Sequence, residues 1–370
     1  MRINQGKRSL LIAVAAIAGL TNTSAEAGIA ATDILVFQQG DAANPAVAAS
    51  TPLYIQDLNP ALTAQTTPVQ SFNMSTQSSP LFTSNEGSDG SLTLSNNGAV
   101  VSFSGWTSAA GGTTAENTVL GRGAGTLDKN GAYTQPTSYS GTTGNQTRSA
   151  FSPDGVNYYF GDKAGMYYNG GSSILTNSIN TRSIKGFGSN TYVLTAASSA
   201  VPFLQTVSPA TPSSGPVTLT GLPGLSFNNN VVDFALLSSG NNGVGVPDTL
   251  YVTDNTGILK YSFNGTTWTA QSKDTAPGTK LSGITAVPDG IGADLYVTSN
   301  PTTGGSVLEK LTDSAAFNAT IADSAASVLY TAPTGDLLRG VSTAPIPEPT
   351  MLGLISVGAM GLLARRRRTV

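Results

Sequence analysis

Between residues 28 and 344, apolar and polar positions alternate in short runs bounded by Gly, Asn, Asp and Pro, and helical spacing is almost absent. That alternation is the signature of strands joined by turns. Asp33 to Phe37 (DILVF), Pro52 to Gln56 (PLYIQ) and Val69 to Met74 (VQSFNM) predict the first strands. Ser91 to Ser95 and Ala99 to Ser104 flank Asn96-Asn97-Gly98. They predict a hairpin, because Asn-Gly tolerates the positive φ of a two-residue turn. Gly257 to Phe263 and Thr266 to Ala270 flank Asn264-Gly265 in the same way.

One phrase recurs: an apolar strand, a turn, then a strand of aromatic and β-branched residues. It reads Arg148 to Phe160, Arg182 to Thr195, Val232 to Ala235 with Asp248 to Asp254, and Leu281 to Val287 with Asp294 to Thr298. A half-phrase, Leu338 to Ser342, ends the series, and the spacing runs from about 34 to 57 residues. Three or four strands at such a period fit a β-propeller, with a pair of β-sandwiches or a β-helix as rival all-β folds. At roughly 45 residues per blade, the 317 residues of 28–344 predict about seven blades. Strand 33–37 and half-phrase 338–342 share one blade in this reading, so the N- and C-terminal strands close the ring. Ser208 to Pro216 (SPATPSSGP) reads as a domain boundary or a loop between blades.

Both ends look like addressing segments. Arg2, Lys7 and Arg8 precede the apolar run Leu10 to Leu20, and Ala25-Glu26-Ala27 has the small-x-small form of a cleavage site. Residues 1–27 therefore read as a secretory signal cut after Ala27. The run is too short for an anchor, since a spanning helix needs about 20 residues. At the other end, Pro345, Pro347 and Pro349 keep 345–349 extended. Residues 350–364 are uncharged. As a helix they reach about 22 Å, short of a hydrocarbon core of about 30 Å, and flanking residues or local thinning of the bilayer make up the difference. A C-terminal transmembrane helix is the expectation. Arg365, Arg366, Arg367 and Arg368 open the tail 365–370 and hold it in the cytoplasm. Both ends thus place 28–344 outside.

Pro347-Glu348-Pro349, a short apolar segment and a terminal basic cluster together resemble the PEP-CTERM sorting signal. The resemblance implies recognition by a membrane exosortase that cuts near Pro-Glu-Pro. The implied partners are signal peptidase, exosortase and, transiently, the membrane. The implied route is export through the inner membrane to the cell surface or beyond. Ser84 to Trp106, Arg148 to Gly155 (RSAFSPDG) and Asp248 to Trp268 (DTLYVTDNTGILKYSFNGTTW) are similar to propeller-like domains of uncharacterised function in proteins bearing this tail.

Charge and composition narrow the chemistry. Seven of the 18 basic residues lie in the two terminal segments, which leaves 11 against 19 acidic ones in 28–344, a net charge near −8. Such a surface repels phosphate backbones, so nucleic acid is not an expected partner. The chain has no Cys and no His. Ser-His-Asp and Cys-His nucleophiles are excluded, as are zinc sites built on those residues. No cofactor or metal is expected. Glu86, Glu116 and Glu309 are the glutamates of 28–344, and nothing in their contexts pairs them as hydrolysis of a glycoside requires.

Arg148, Arg182 and Arg339 open matching phrases. They are candidate anion ligands beside a central channel, or, as ordinary structural arginines, partners of neighbouring acids and loops. Asp128, Asp154, Asp289 and the Ser88-Asp89-Gly90 run lack the full series of a calcium loop and read as turns. Trp106, Trp268 and the pairs Tyr158-Tyr159 and Tyr167-Tyr168 read as packing between blades, or as stacking platforms for sugars. The expectation is a non-enzymatic, exported surface or extracellular-matrix propeller. The alternative is a secreted propeller that binds or acts on extracellular polysaccharide.

Overall fold

Alternation of apolar residues puts neighbouring side chains on opposite faces of a strand. Here both faces are covered. Ile34 and Val36 pack on one side of the first strand, and Leu35 and Phe37 on the other. The computed structural model describes residues 28–346 apart from 176, 197–201, 211–215, 227, 229, 279 and 302–304.

The strands, in chain order, build sheets of antiparallel neighbours. The first sheet holds β1 (Ile34–Gln39), β2 (Thr51–Leu58) and β3 (Gln70–Asn73). A short β4 (Phe82–Thr83) bridges to the second sheet, made of β5 (Leu92–Leu94), β6 (Val100–Trp106), β7 (Gly121–Asp128) and β8 (Tyr133–Ser140). The third holds β9 (Thr147–Phe151), β10 (Tyr159–Asp162) and β11 (Gly165–Tyr168). The fourth runs β12 (Thr181–Phe187), β13 (Asn190–Thr195), β14 (Leu204–Ser208) and β15 (Thr218–Gly221). The fifth runs β16 (Val231–Leu237), β17 (Thr249–Asp254), β18 (Gly257–Phe263) and β19 (Trp268–Asp274). The sixth runs β20 (Leu281–Asp289), β21 (Gly292–Ser299), β22 (Val307–Asp313) and β23 (Ser327–Thr331). Finally β24 (Leu337–Thr343) pairs antiparallel with β1, Ile34 opposite Thr343 and Val36 opposite Val341. The last strand thus completes the first sheet.

The inner strands β24, β5, β9, β12, β16 and β20 touch one another in that order and back to the start. The fold is an all-β propeller, closed as expected by the terminal strands. Among the described residues six inner strands ring the axis, and β4 joins the first two sheets into one hydrogen-bonded sheet of nine strands. Each recurring phrase is the inner hairpin of one sheet, and the Asn96-Asn97-Gly98 hairpin supplies the remaining one. That hairpin closes at Ser95 and Val100, which leaves four loop residues rather than two, with Gly98 at φ +73°. Ser208 to Pro216 joins β14 to β15 inside the fourth sheet, so it is neither a domain boundary nor a loop between sheets.

Six buried apolar clusters fill the six gaps between neighbouring sheets. Each fully buried Leu, Val, Ile or Phe contributes about 1.5–3 kcal/mol relative to exposure. In the gap between the fifth and sixth sheets a fully buried ion pair sits among the apolar side chains. Lys260 Nζ lies 2.7 Å from Asp313 Oδ2 and also donates to the Ala316 carbonyl. Tyr251 donates to Asp313 Oδ2, and the amides of Ala315 and Ala322 donate to Oδ1. Lys310 and Asp294 form a comparable pair whose lysine is 30% exposed.

Removing one member of a buried pair leaves a charge without its counterion, at a cost of about 3–5 kcal/mol. Lys260→Met is expected to lose about that much stability in urea unfolding, and Lys310→Met under about 1 kcal/mol. Equal losses at the two sites would refute this ranking.

Candidate functional site

Later residues of β5, β12, β16, β20 and β24 line one cavity, and β9 runs alongside β5 with Ser91 bonded to Arg148 and Thr93 to Ala150, so the six inner strands run the same way along the axis, from an upper face where they begin to a lower face where they end. Near the upper end, ladder register slips in five of them. In the hairpins of β9, β12, β16, β20 and β24, the residues left without an opposite number are Arg148, Arg182, Val232, Ser282 and Arg339 with Gly340. A β-bulge re-aims the side chain of its extra residue. The three arginines singled out in the sequence are all residues of these bulges.

Two of the guanidinium groups, those of Arg182 and Arg339, meet a loop of the same chain. Residues 84–90, leading into β5, lie at the upper end of the channel. Arg339 donates to the carbonyls of Asn85 (3.2 Å) and Gly87 (3.4 Å) and, through Nε, to Gln39 (2.9 Å). Arg182 reaches Ser88 Oγ at 3.5 Å. Arg148 donates to Gln146 Oε1 (2.8 Å) and to Asn180 Oδ1, while Gln146 donates to Glu86 Oε2 (2.7 Å). Asp89 is buried and accepts from Ser84 Oγ at 2.8 Å, within the field of Arg148 and Arg339. Gly90 has φ +99°, and a Cβ there would stand 2.8 Å from Arg339 Cβ and 2.9 Å from the Phe37 ring. Only glycine lets the loop lie this close.

The loop is therefore a plug held directly by Arg339 and Arg182, and by Arg148 through Gln146. Burial pushes Arg148 and Arg339 down to about 10. Burial also pushes Asp89 up to about 8, with Glu86 adding to the shift and Ser84 and the arginines opposing it. The Asp89 run reads in the sequence as a turn, and the contact with the arginines is not visible there. Two acids within the short stretch Ser84 to Gly90 were its one trace.

Two cavities lie on the lower side. One of about 180 Å³ occupies the lower channel, lined by Leu94, Lys185, Leu236, Ala286 and Thr343 among others. Lys185 is neutralised there by Asp233 at 2.8 Å and donates to the Ile284 carbonyl, while the Ile284 amide donates to Asp233. This bridge joins β12, β16 and β20. The other cavity is a groove of about 300 Å³ between the fifth and sixth sheets, lined by Ser238, Ser239, Asn241, Ile291 and Phe317 among others.

The remaining candidates are structural. Asp128 and Asp154 accept backbone amides of their own turns at 2.7 to 2.9 Å. Trp106 is buried beneath the Arg122 guanidinium at 4.7 Å, Trp268 stacks on Phe263, and Tyr167 stacks on Tyr139. Tyr158 and Tyr159 are buried, and Tyr168 packs against Tyr159. These rings pack inside the protein rather than offering a stacking surface. Glu86 accepts from Gln146 and Glu309 from Ser299, on different sheets.

The chain leaves the ring at the lower face. The Ala344 amide donates to the Asp33 carbonyl, and the Ile346 amide to the Gly98 carbonyl at 2.8 Å. Ala25, Ala27, the sorting tripeptide Pro347-Glu348-Pro349, segment 350–364 and Arg365 to Arg368 lie outside the described residues. Among the described residues no helix is long and apolar enough to cross a membrane.

Ring and tail together define a class: a propeller carrying a C-terminal sorting signal. Residues 345–368 match the PEP-CTERM protein-sorting motif, which implies processing by exosortase. Among solved structures, the chain is similar to a Bacteroides fragilis protein provisionally assigned as a 6-phosphogluconolactonase, at 10% identity and TM-score 0.46, covering 80% of this chain and 82% of that one. It is also similar to the periplasmic gluconolactonase of Pseudomonas aeruginosa, at 10% identity and TM-score 0.44, covering 84% and 99%. A third is the six-bladed lectin of the fungus Aleuria aurantia, at 13% identity and TM-score 0.35, covering 83% and 98%. No curated protein matches the sequence.

Asp57 and Asp336 are raised to about 7, each chiefly by burial, with Asp33 and Asp41 respectively adding to the shift. With Asp89, these carboxyls hold protons in the folded chain at a pH where the unfolded chain, near its ordinary 3.8, has lost them. The folded state then binds more protons, and stability falls as pH rises from about 4 to about 8. The thermal midpoint is expected to be higher at about pH 5 than at about pH 8, and Asp89→Asn to narrow the difference. A midpoint that climbs with pH across this window would contradict the assignment.

Proposed function

We propose that this is an exported, exosortase-processed protein of the cell surface or extracellular matrix, and that its propeller is a non-catalytic module. One observation carries the reading: the sorting motif at 345–368 follows directly on the strand that closes the ring. The plugged upper channel supports the non-catalytic part. Arg148, Arg182 and Arg339 spend donors on the chain's own oxygens, and neither cavity is lined by Asp89 or by these arginines. In this reading the arginines clamp a loop, and a carboxylate or phosphate reaches them only where residues 84–90 give way.

The lower groove favours a second reading, binding of extracellular polysaccharide. Ser238, Ser239 and Asn241 offer hydrogen-bonding groups beside the apolar Ile291 and Phe317, a mixture that suits a sugar ring. A glycan array probed with the exported, processed protein tests it, and silence across the array removes it.

The sorting part is tested in cells. Deleting 345–370 is expected to abolish membrane retention and the shift in size that accompanies processing, both read by immunoblot of membrane and medium fractions. Unchanged retention and processing would sink the proposal.

A further inference from the structure

The two faces of the ring differ in what they expose. Val156 lies in the β9–β10 turn, Val244 and Val246 in the β16–β17 loop, Ile291 in the β20–β21 turn, and Ile346 just beyond β24. All of these are tips at the lower face, because the inner strands end there. Val244 is fully exposed, Val156 76% and Ile291 73%. Leu62 and Val69, between β2 and β3, and Val328, at the start of β23, carry the same face to its rim. Of the ten exposed large apolar residues described, only Val47 and Leu120 lie at the upper face. Both cavities are also on the lower side.

The same face gives off both chain ends. Ile346 is bonded to Gly98, itself at the tip of the β5–β6 hairpin. From there to Thr350, where the apolar segment begins, is four residues, a reach of at most about 14 Å. The start of β1 lies beside the end of β24, so the described N-terminus leaves from this side as well. With 350–364 in the bilayer, its surface lies within about 14 Å of Ile346. The headgroup layer on each side of the hydrocarbon is itself about 5–7 Å thick.

We propose that the lower face of the ring rests on the outer surface of the inner membrane before processing, with Val156, Val244, Ile291 and Ile346 in the lipid headgroup layer. The proposal rests on the reading that 350–364 spans the bilayer. The contact is apolar and short-range. Asp154 and Asp289 share the face, with Lys129 as a basic neighbour, so attraction to anionic lipid does not drive it. It depends on the tether, which supplies a high local concentration of membrane, and it ends when the tail is cut.

The chain has no cysteine, so single thiols can be placed at will. The full chain is reconstituted in phosphatidylcholine vesicles with one cysteine at a time, at Val156, Val244 or Ile291 below and at Val47 or Leu120 above. Each thiol carries an environment-sensitive fluorophore, and quenching by spin-labelled lipid is read. A cysteine at Ser356 reports independently on insertion of the tail. The expected result is about twofold or stronger quenching at the lower sites than at the upper ones, unchanged by salt. Quenching at Ser356 with equal, weak quenching at both faces overturns the proposal and leaves the spanning reading intact. No quenching at Ser356 overturns both. A quenching difference that salt abolishes overturns the apolar basis of the contact.

Discussion

The ladder between β1 and β24 is the constraint on which the rest of the structure depends. Every other sheet is made from one continuous stretch of chain, and its strands find each other over short loops. The first sheet alone needs both ends of the chain. β1 hydrogen-bonds β2 on one edge and β24 on the other, and its two faces feed two separate clusters, those toward the sixth and the second sheet. An unpaired β24 would therefore expose two of the six apolar interfaces and an open strand edge. The plug is tied to the same ladder. Arg339 stands at the bulge in β24 and holds Gln39 of β1 with one nitrogen and the loop with the others. Closure and the Arg339 contacts with the loop thus share one strand.

Much of this was legible in the sequence, and the limits are informative. Strand alternation and recurring phrases identify the inner hairpins almost residue by residue, because both faces of those strands are covered by neighbouring sheets. Counting phrases together with the Asn96-Asn97-Gly98 hairpin gives six. Dividing the length by an average repeat gives seven, because long loops such as 59–69 and 107–120 add residues without adding strands. The closing strand was legible too: a half-phrase at one end and a lone strand at the other can satisfy their edges only by pairing. The bulges were not, since a register slip leaves no mark in the alternation of a short strand. Recurrence of Arg at the head of matching phrases was its only trace. The partner of those arginines was hidden for another reason. Loop 84–90 is separated in sequence from Arg182 by about 94 residues and from Arg339 by about 250.

The buried charges divide by role. Lys260 with Asp313 and Lys185 with Asp233 are each joined by further hydrogen bonds from neighbouring strands, so the charges are compensated at the points where sheets meet. Such pairs add little net stability over apolar side chains, but they penalise any misalignment of one sheet against the next. The upper plug is a looser version. Arg182 and Arg339 donate to a hydroxyl and two carbonyls of the loop, and the carboxyl of Asp89 is held in a site that favours its protonated form. Polar groups stop the upper end of the channel, whereas the lower face is left with apolar tips.

The position of the sorting motif follows from the same closure. Thr343, Ser342 and Val341 lie opposite Ile34, Leu35 and Val36, the Ala344 amide is bonded to Asp33, and the Ile346 amide is bonded to Gly98. Residues up to 346 are thus part of the ring. A cut at Pro347 or beyond would leave β24 whole. A cut a few residues earlier would remove part of the strand that completes the first sheet and open the ring between strands about 300 residues apart in sequence. Pro345, just beyond β24, has no backbone N–H to extend the ladder. The motif stands at the first place along the chain where processing and the integrity of the fold are compatible.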